Sequence, residues 1–289
     1  MKYIILIPIY NDRESLKLLI ENINNEIKEI NHEISIVVIN DASSQQIIDN
    51  YPNIENISSL EIINMKENKG HARCIASGLK YIFEKKEFDF IIPMDGDGED
   101  RPEEIINFIN LSEQSVEKSI IGERVKRSEG LFFQLCYQFH KFLTLAFTGK
   151  SIKFGNFTCL SKSTTEKMLK EKVTWNSFSG SLKKIESDLI SIPSNRGLRY
   201  YGPSQMSFTN LIKHSLSIIS VFRKTFLIRS GLFIIIYILM IKSNASIITS
   251  VPLIILLIAV YSVSNLALRE NMNELKNSLN QIKNIDKIQ

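Results

Sequence analysis

The sequence predicts an α/β fold with a Rossmann-like, mainly parallel sheet, followed by a segment attached to a membrane. Two observations carry this prediction. Over residues 1–123, short β-branched runs alternate with segments of helical spacing, an order typical of a parallel sheet covered by helices on both faces. Near the C-terminus, residues 226–241 and 245–268 form two long apolar runs separated only by KSNA.

The predicted strands are five apolar runs at residues 3–9, 33–40, 60–65, 88–94 and 118–123. Their apolarity is continuous rather than alternating, which favours strands buried on both faces. Helical spacing between them predicts helices over residues 12–30, 70–86 and 101–111. In the last of these, Pro102 suits the first turn, and the acids Glu103 and Glu104 favour the positive end of the helix.

Polar side chains follow four of these strands, at the point where each strand ends. Because the carboxyl ends of parallel strands meet at one edge of a sheet, and ligands bind beyond that edge, we expect these side chains to converge on one crevice. They are Asn11 and Asp12, Asn40 and Asp41, Asn68, and Asp95 with Asp97.

The densest acidic stretch is MDGDGED at residues 94–100. If this stretch were only a hydrated surface loop, its position at the same sheet edge as the other polar side chains would be accidental. An EF-hand that starts at Asp95 needs Gly at position 100 and Glu at position 106, where this chain has Asp100 and Ile106. A phosphatase of the DxDGT type needs a Thr where Glu99 stands. A catalytic metal site is therefore the favoured interpretation.

The charge distribution points to anionic partners. The net charge of +4 is too small to indicate nucleic acid, but residues 190–267 contain no Asp or Glu. Seven cations in that stretch favour phosphates or lipid headgroups as partners. They are Arg196, Arg199, Lys213, Arg223, Lys224, Arg229 and Lys242. Three cysteines without a CxxC pair argue against a disulfide framework or a zinc site and fit a reducing cytoplasm.

The two apolar runs are predicted to form a membrane hairpin. The second reaches the length of ~20 residues that a bilayer needs, whereas the first is short and carries Arg229. Soluble core helices are rarely apolar all round, which disfavours burial in a protein core. Cations flank both ends of the hairpin, so both termini and the catalytic domain are predicted to be cytoplasmic. The N-terminal run is interpreted as a strand and not as a signal peptide.

Seven motifs in order carry a resemblance to a known family. The chain resembles the family 2 glycosyltransferases of GT-A fold, and within them the membrane-attached branch of dolichyl- and undecaprenyl-phosphate sugar transferases. The resemblance extends over roughly residues 1–230. Its motifs are IPIYND (7–12), VVINDAS (37–43), NKGHARCIASGL (68–79), MDGDGEDRPEE (94–104), GERVKRSEG (122–130), FGNFTCLS (154–161) and RYYGPSQMSF (199–208).

The resemblance implies a nucleotide-sugar donor, a Mg²⁺ or Mn²⁺ ion and inversion at the anomeric carbon. Asp97 is expected to ligate the metal, with Asp95 close to both the metal and the ribose. Asp100 completes the catalytic set, and Asp100 or Glu99 would serve as base if the acceptor were a hydroxyl. The residues expected to hold the donor nucleotide are Pro8, Tyr10, Asp12, Asp41, Asn68, Gly70 and Asp95.

For the acceptor, the resemblance implies a phosphate held by Arg124, Arg127, Arg199 and Ser204. Planar guanidinium groups bind phosphate oxygens bidentately, which suits this role. The chain departs from the branch at Gln205, where lysine is usual, and at Asn156, where an aspartate is frequent. The apolar segments 131–147 and 207–226 are expected to lie at the membrane interface, with ordinary packing against the sheet as the alternative.

These expectations give a domain plan and a function. The plan is a GT-A domain at 1–205, an amphipathic interfacial helix at 206–226, two membrane helices at 227–268 and a cytoplasmic tail at 269–289. The expected function is transfer of a sugar to a polyprenyl phosphate. The alternatives are elongation of a lipid-linked glycan or surface polysaccharide at a hydroxyl, and a non-catalytic membrane scaffold. The expected partners are a nucleotide sugar, the lipid acceptor and membrane lipids. No nucleic acid is expected, and a homo-oligomer is left open.

Overall fold

The computed structural model of the chain describes residues 1–45, 54–115, 117–126, 131–202 and 208–289. Eight strands and ten α-helices lie in these ranges. In chain order they are β1 Lys2–Ile9, α1 Arg13–Glu26, β2 Glu33–Asn40, β3 Ser59–Met65, α2 His71–Lys85, β4 Phe90–Pro93, α3 Ile105–Gln114, β5 Ile120–Lys126, α4 Leu131–Thr148, β6 Phe154–Ser161, α5 Lys162–Leu169, α6 Phe178–Ile185, β7 Ile190–Asn195, α7 Phe208–Ser220, α8 Arg223–Ile241, α9 Ile247–Ala267, α10 Met272–Lys276 and β8 Ile282–Lys287.

All eight strands form one sheet in the order β7-β5-β6-β4-β1-β2-β3-β8. Its central strands β4, β1, β2 and β3 are parallel to their neighbours among these four. Strand β6 pairs antiparallel with both β4 and β5, while β5 and β7 are parallel to each other. The prediction of a mainly parallel sheet is confirmed.

The core lies on both faces of this sheet, because successive side chains of a strand point to opposite sides. On one face, Ile5 and Ile7 pack in a cluster with Leu16 and Leu19 of α1 and with the apolar side of α3. On the other face, Leu6 packs with the apolar sides of α2, α5 and α6. Burial on both faces explains why the strands read as continuous apolar runs.

The C-terminal segment differs from the prediction. Residues 269–289 were expected to form a tail, but they form α10, a short 3-10 helix at Ser278–Gln281, and β8. Strand β8 pairs antiparallel with β3, for example Ile62 with Asp286, and so becomes an edge strand of the main sheet. The physical reason is that β3 would otherwise expose an unpaired row of backbone donors and acceptors. The apolar pattern of β8 is too short and too polar to predict this strand from the sequence.

Helices α8 and α9 are the two helices within the described ranges that are long and apolar enough to cross a membrane, with mean hydropathies of 1.9 and 2.3. Their apolar side chains are largely exposed, including Ile235 at 60% and Ile258 at 60%. Arg229 in α8 donates from Nη1 to the carbonyl oxygens of Leu145 (3.3 Å) and Ala146 (2.8 Å), in the last turn of α4. This cation therefore has partners within the protein.

Candidate active site

The acidic loop leaves β4 at the carboxyl edge of the sheet. It turns at Gly98, whose φ of +85° is a conformation that side chains disfavour. A Cβ at this position would also lie 2.5 Å from the ring of Tyr200. Glycine is therefore required here both for the turn and for the approach of the segment that follows β7.

That segment, residues 196–201, closes over the acidic loop and is called here the covering segment. Its backbone makes two hydrogen bonds to the loop, from Gly197 N–H to the carbonyl oxygen of Glu99 (2.8 Å) and from Tyr200 N–H to that of Asp97 (3.0 Å). The hydroxyl of Tyr200 accepts a hydrogen bond from Asn22 in α1 (2.9 Å). The covering segment is thus tied to both the loop and the rest of the domain.

Two arginines of the covering segment pair with acids of the site. Arg199 donates from Nη1 to Asp97 Oδ2 (2.8 Å), and its other terminal nitrogen pairs with Asp12. Arg196 pairs with Glu99. The side chain of Arg199 is only 14% exposed, so these ion pairs are shielded from solvent. Arg199 joins the loop after β1 to the loop after β4.

Asp95 has a separate set of partners, one from β6 and one from α2. The amide of Asn156, in β6, donates to Asp95 Oδ1 (3.2 Å) and also contacts His71 Nε2 (2.7 Å). His71 Nε2 lies 3.3 Å from the same Asp95 oxygen. Because His71 is the first residue of α2, the positive N-terminus of that helix faces the acidic loop.

The pKa values of the acids reflect this crowding. Burial and the charge of Asp95 raise the pKa of Asp100 to about 8, and the same two causes raise the pKa of Asp97. Burial would also raise the pKa of Asp95, but the hydrogen bond and charge of His71, with Arg196 and Arg124, outweigh it and hold that pKa below its usual range. Asp95 is therefore the acid of this cluster whose ionised form its neighbours stabilise most.

The remaining expected donor-binding residues lie along the same edge. Asp41 is buried, and its two carboxylate oxygens accept the backbone N–H groups of Lys69 (2.9 Å) and Gly70 (2.8 Å). It therefore fixes the turn before α2, and a contact with a nucleobase stays a prediction. Tyr10 is 49% exposed; Pro8 is buried in β1 and Asn68 is exposed in the β3–α2 turn.

The acids fit a divalent cation that shares its coordination with a substrate. Within the described ranges, no group of three or more His, Cys, Asp or Glu side chains is arranged to hold a metal ion. Mg²⁺ and Mn²⁺ are commonly held by one or two carboxylates together with substrate phosphates. Asp95 and Asp97 are about one-fifth exposed, and the electrostatic strain between them is of the kind that a cation relieves.

The expected acceptor residues are only partly described. Arg124 lies in β5, where a Cβ at Gly155 would come within 2.5 Å of its Nη2, so its guanidinium rests on the glycine next to Asn156. Arg127, Ser204 and Gln205 lie outside the described residues. Asp100 is 5% exposed and accepts the backbone N–H of Asp95 (2.9 Å), a contact that shapes the loop.

Three residues that sequence reasoning missed also belong to the site: Arg196, Tyr200 and Asn22. Arg196 was visible only as one cation among seven. Tyr200 stands inside the RYYG motif, but no pattern shows that its ring covers Gly98. Asn22 lies in the middle of a helix, and only the fold brings it to a residue 178 positions later.

Comparison with protein families decides the affiliation. The profile described as glycosyl transferase family 2 matches residues 4–178, which include the acidic loop, His71 and Asn156. The chain belongs to glycosyl transferase family 2. The resemblance of its motifs is thereby confirmed.

Curated relatives of this family member include two bacterial undecaprenyl-phosphate 4-deoxy-4-formamido-L-arabinose transferases. The protein from Proteus mirabilis is 25% identical over 220 residues, which cover 73% of this chain and 64% of the relative. The protein from Photorhabdus laumondii is 29% identical over 227 residues, covering 73% and 65%. The chain spans just under two thirds of the length of these relatives.

Solved structures show the same fold at low sequence identity. A mannosyltransferase from Pyrobaculum calidifontis in complex with GDP-Man and Mn²⁺ gives a TM-score of 0.50 at 12% identity, covering 92% of this chain and 86% of that one. Glucosyl-3-phosphoglycerate synthase from Mycobacterium tuberculosis, with Mn²⁺, UDP-glucose and phosphoglyceric acid, gives 0.52 at 11% identity and covers 80% of each chain. The GT-A fold expected from the motifs is confirmed.

Proposed function

We propose that this chain is an inverting glycosyltransferase that moves a sugar from a nucleotide sugar to a polyprenyl phosphate in the membrane. The observation that carries the proposal is the meeting of Asp95 and Asp97 with the N-terminus of α2 and with arginines at one sheet edge, in a domain that also holds two apolar helices. The relatives from P. mirabilis and P. laumondii are named as undecaprenyl-phosphate transferases, which supports this acceptor class.

The carboxyl edge of the sheet can bind anions, which supports a nucleotide sugar as the donor. The first backbone N–H groups of a helix and its dipole attract phosphate, and α2 presents them beside Asp95. Structural neighbours of the same fold hold GDP-Man or UDP-glucose together with Mn²⁺. We infer that the donor diphosphate crosses the start of α2, between the exposed Tyr10 and the acidic loop.

Asp97 is the residue that would hold the metal, with Asp95 beside it. When bound there, Mg²⁺ or Mn²⁺ would neutralise the negative charge that develops on the leaving diphosphate. The carboxylate of Asp97 is already oriented, because its Oδ1 accepts the N–H of Glu99 (3.1 Å) and its Oδ2 accepts Arg199. Arg199 would then give up Asp97 and offer its guanidinium to a second anion.

The transfer step needs little proton chemistry. An oxygen of the acceptor phosphate forms a bond to the anomeric carbon as the bond from that carbon to the diphosphate breaks, and the diphosphate leaves with the bonding electrons. The acceptor phosphate is already ionised at neutral pH, so no general base has to remove a proton from it. Arg124 and Arg199 would orient this phosphate, and Arg127 and Ser204 keep the same predicted role.

The membrane arrangement follows from how the C-terminus returns to the sheet. Strand β8 pairs with β3, so both ends of the α8–α9 hairpin attach to the same domain. If α8 crosses the bilayer, α9 must cross back. Cations before and after the hairpin support a cytoplasmic position for that domain and for both termini.

A transfer assay tests the proposal directly. The full chain in nanodiscs that contain undecaprenyl phosphate would be incubated with Mn²⁺ or Mg²⁺ and a panel of radiolabelled UDP- and GDP-sugars. We expect label from at least one donor to enter the organic phase and to be released by mild acid, as a glycosyl phosphate is. Acid-stable product would favour a hydroxyl acceptor, and no transfer from any donor would contradict the function.

A further inference from the structure

The loops after β1 and β2 contain backbone conformations that need support from their surroundings. Among the described residues, the non-glycine positions with positive φ are Asn11 (49°), in the loop after β1, and Ala42 (56°), in the loop after β2. Side chains disfavour this conformation, and it persists where neighbouring groups hold it in place. These loops also carry Tyr10, Asp12 and Asp41, which are expected to hold the donor nucleotide. The groups that hold the two loops therefore bear on donor binding.

Side-chain hydrogen bonds join the two loops into one unit. Ser43 Oγ accepts the backbone N–H of Asn11 (2.9 Å), and Asn11 Oδ1 accepts that of Ser44 (2.9 Å). The turn that contains Ala42 is also held at its base, because Asn40 Oδ1 at the end of β2 accepts the backbone N–H of Ser43 (3.0 Å). The shape of this unit thus depends on the orientation of the Asn40 side chain.

The Asn40 side chain belongs to a series of hydrogen bonds that crosses the sheet to β8. Its Nδ2 donates to Asn64 Oδ1 (2.7 Å), and Asn64 Nδ2 donates to Asp286 Oδ2 (2.5 Å). Asn40 and Asn64 are register partners on β2 and β3. We call Asn40, Asn64 and Asp286 the amide relay. Its last member lies in the strand that follows the α8–α9 hairpin, 222 residues after Asn64.

The carboxylate at position 286 gives the amide relay a direction. A carboxylate accepts hydrogen bonds and donates none, so Asn64 must turn its NH2 group toward Asp286 and its carbonyl oxygen toward Asn40. Asn40 must then donate to Asn64, and its own carbonyl oxygen faces the N–H of Ser43. In the reversed direction the NH2 group of Asn40 would face that N–H, and two donors would meet without an acceptor. Asn40 is only 6% exposed, so water does not readily replace the lost acceptor.

We propose that Asp286 is a positioning residue for the donor site. It fixes the orientation of Asn64 and Asn40, and through the N–H of Ser43 it holds the loops after β1 and β2 in the shape that receives the donor nucleotide. The proposal rests on the proposed function, since it concerns the same donor. Asp286 acts through other side chains and not by contact with the substrate.

Asp286→Asn tests the proposal because it keeps the shape of the side chain and removes the fixed acceptor. Both directions of the amide relay then become possible, so the N–H of Ser43 loses its permanent acceptor. Hydrogen exchange of the peptide that contains residues 40–45, measured by mass spectrometry on the full chain in nanodiscs, should become faster. UDP or GDP should bind roughly 3- to 10-fold more weakly in calorimetry, with the KM for the nucleotide sugar rising by the same factor and kcat nearly unchanged.

A second background should give the same substitution the opposite effect. Asn40→Asp places a carboxylate at the other end of the amide relay, where it accepts the N–H of Ser43 in either direction. With carboxylates at both ends, the carbonyl oxygen of Asn64 must face one of them, which destabilises the relay. Adding Asp286→Asn to Asn40→Asp should therefore strengthen nucleotide binding and slow the exchange, whereas in the parental chain it does the reverse. Effects of equal sign in the two backgrounds would overturn the proposal.

The matched control is Asn284→Ala. Asn284 is exposed in β8 and donates to the other carboxylate oxygen, Oδ1 of Asp286 (2.9 Å), so the variant removes a contact of Asp286 and leaves the amide relay intact. Neither the exchange of residues 40–45 nor the nucleotide affinity should change. If Asn284→Ala lost as much affinity as Asp286→Asn, or if Asp286→Asn lowered only the melting temperature, Asp286 would merely hold β8 and the positioning role would be wrong.

Exchange and transfer together distinguish failure of this proposal from failure of the function. If the parental chain transfers sugar in the assay above and Asp286→Asn binds the nucleotide equally well, only the positioning role is wrong. If the parental chain transfers no sugar from any donor, the function itself is wrong, and the exchange of residues 40–45 in Asp286→Asn still shows whether the amide relay holds the two loops.

Discussion

The side chains of the donor edge have partners within the protein, whereas many of the apolar side chains described on the membrane face are exposed and have none to cover them. At the donor edge, meaning the acids after β1, β2 and β4, each carboxylate already has partners: Asp41 has two backbone donors, and Asp97 has a backbone donor and Arg199. At the membrane face, formed by α4, α8 and α9, large apolar side chains such as Phe142 (65%) and Ile255 (62%) are exposed.

The difference indicates what completes each region. Polar groups held in place by the protein need little reorganisation beyond the release of Asp97 by Arg199, and such an arrangement favours electrostatic stabilisation of a transition state. Exposed apolar helices are not stabilised by water, so we expect lipid to cover the membrane face. The following predictions test whether the two regions separate in this way, from the largest effect to the smallest.

Asp97→Asn should abolish most of the activity. The substitution removes the charge that would hold the cation, and we expect a loss of at least ~3 kcal/mol of transition-state stabilisation, or a rate more than about 100-fold lower. The measurement is sugar transfer at saturating donor with Mg²⁺ or Mn²⁺, alongside the melting temperature to confirm folding.

Asp188→Asn is the matched control, because Asp188 is 71% exposed and pairs with Lys118 at the surface. It should transfer at the parental rate. A folded Asp97→Asn variant that is as active as Asp188→Asn would remove Asp97 from the donor edge and leave the acidic loop with a structural role.

The donor edge was predictable from the sequence because local patterns and one topological rule suffice for it. Strand β2 was predicted with its observed ends, and the rule that carboxyl ends share an edge brought Asp12, Asp41, Asp95 and Asp97 together. The partners of these acids were not predictable. His71 and Asn156 are 85 residues apart, and Arg199 is 187 residues from Asp12, so no local period relates them.

The C-terminal strand was also not predictable from the sequence, because its partner is distant in the chain. Residues 282–287 are short and polar, and their strand forms only because β3 offers an unpaired edge. That partner lies more than 200 residues earlier in the chain, beyond any sequence pattern. The prediction of the membrane helices was more direct, because continuous apolarity over about 20 residues is a local property.

Arg199→Ala should separate the acceptor from the donor. We expect the apparent KM for polyprenyl phosphate to rise about 10-fold or more, because a phosphate loses a charged donor. The Mn²⁺ concentration for half-maximal activity should fall, because Asp97 no longer pairs with a competing cation. Both values come from transfer kinetics with one substrate varied at a time.

Arg101→Ala is the control for Arg199→Ala: Arg101 follows the acidic loop but pairs with Glu103 at the surface, and neither value should change. An increased Mn²⁺ requirement in Arg199→Ala would show that Arg199 serves the donor edge, not the acceptor.

Arg229→Ala tests the tie between the membrane face and the domain. Arg229 donates to two carbonyl oxygens at the C-terminus of α4, where the helix dipole also favours a cation. Its loss should cost roughly 1–2 kcal/mol, or about 3–5 °C in melting temperature in nanodiscs. Lys224→Ala, one turn earlier on α8, should not lower the melting temperature; equal losses would show that the contacts of Arg229 add no stability.

The smallest and most specific effect is expected from Asn156→Asp, which adds an acid to the donor edge. The new carboxylate would lie about where the amide now donates to Asp95, so it loses that hydrogen bond and repels Asp95 in the absence of a cation. With a divalent cation present, a third carboxylate increases the charge of the ligand set, and charge count tunes affinity for such ions. The Mn²⁺ concentration for half-maximal activity should therefore fall by roughly 2- to 5-fold, and Mn²⁺ should restore a melting temperature that is lowered without it.

Asn156→Ala removes the same hydrogen bond without adding charge, so its Mn²⁺ requirement should not fall. If the requirement rose equally in both variants, Asn156 would act only as a hydrogen-bond donor that holds Asp95, and the cation would lie out of reach of residue 156.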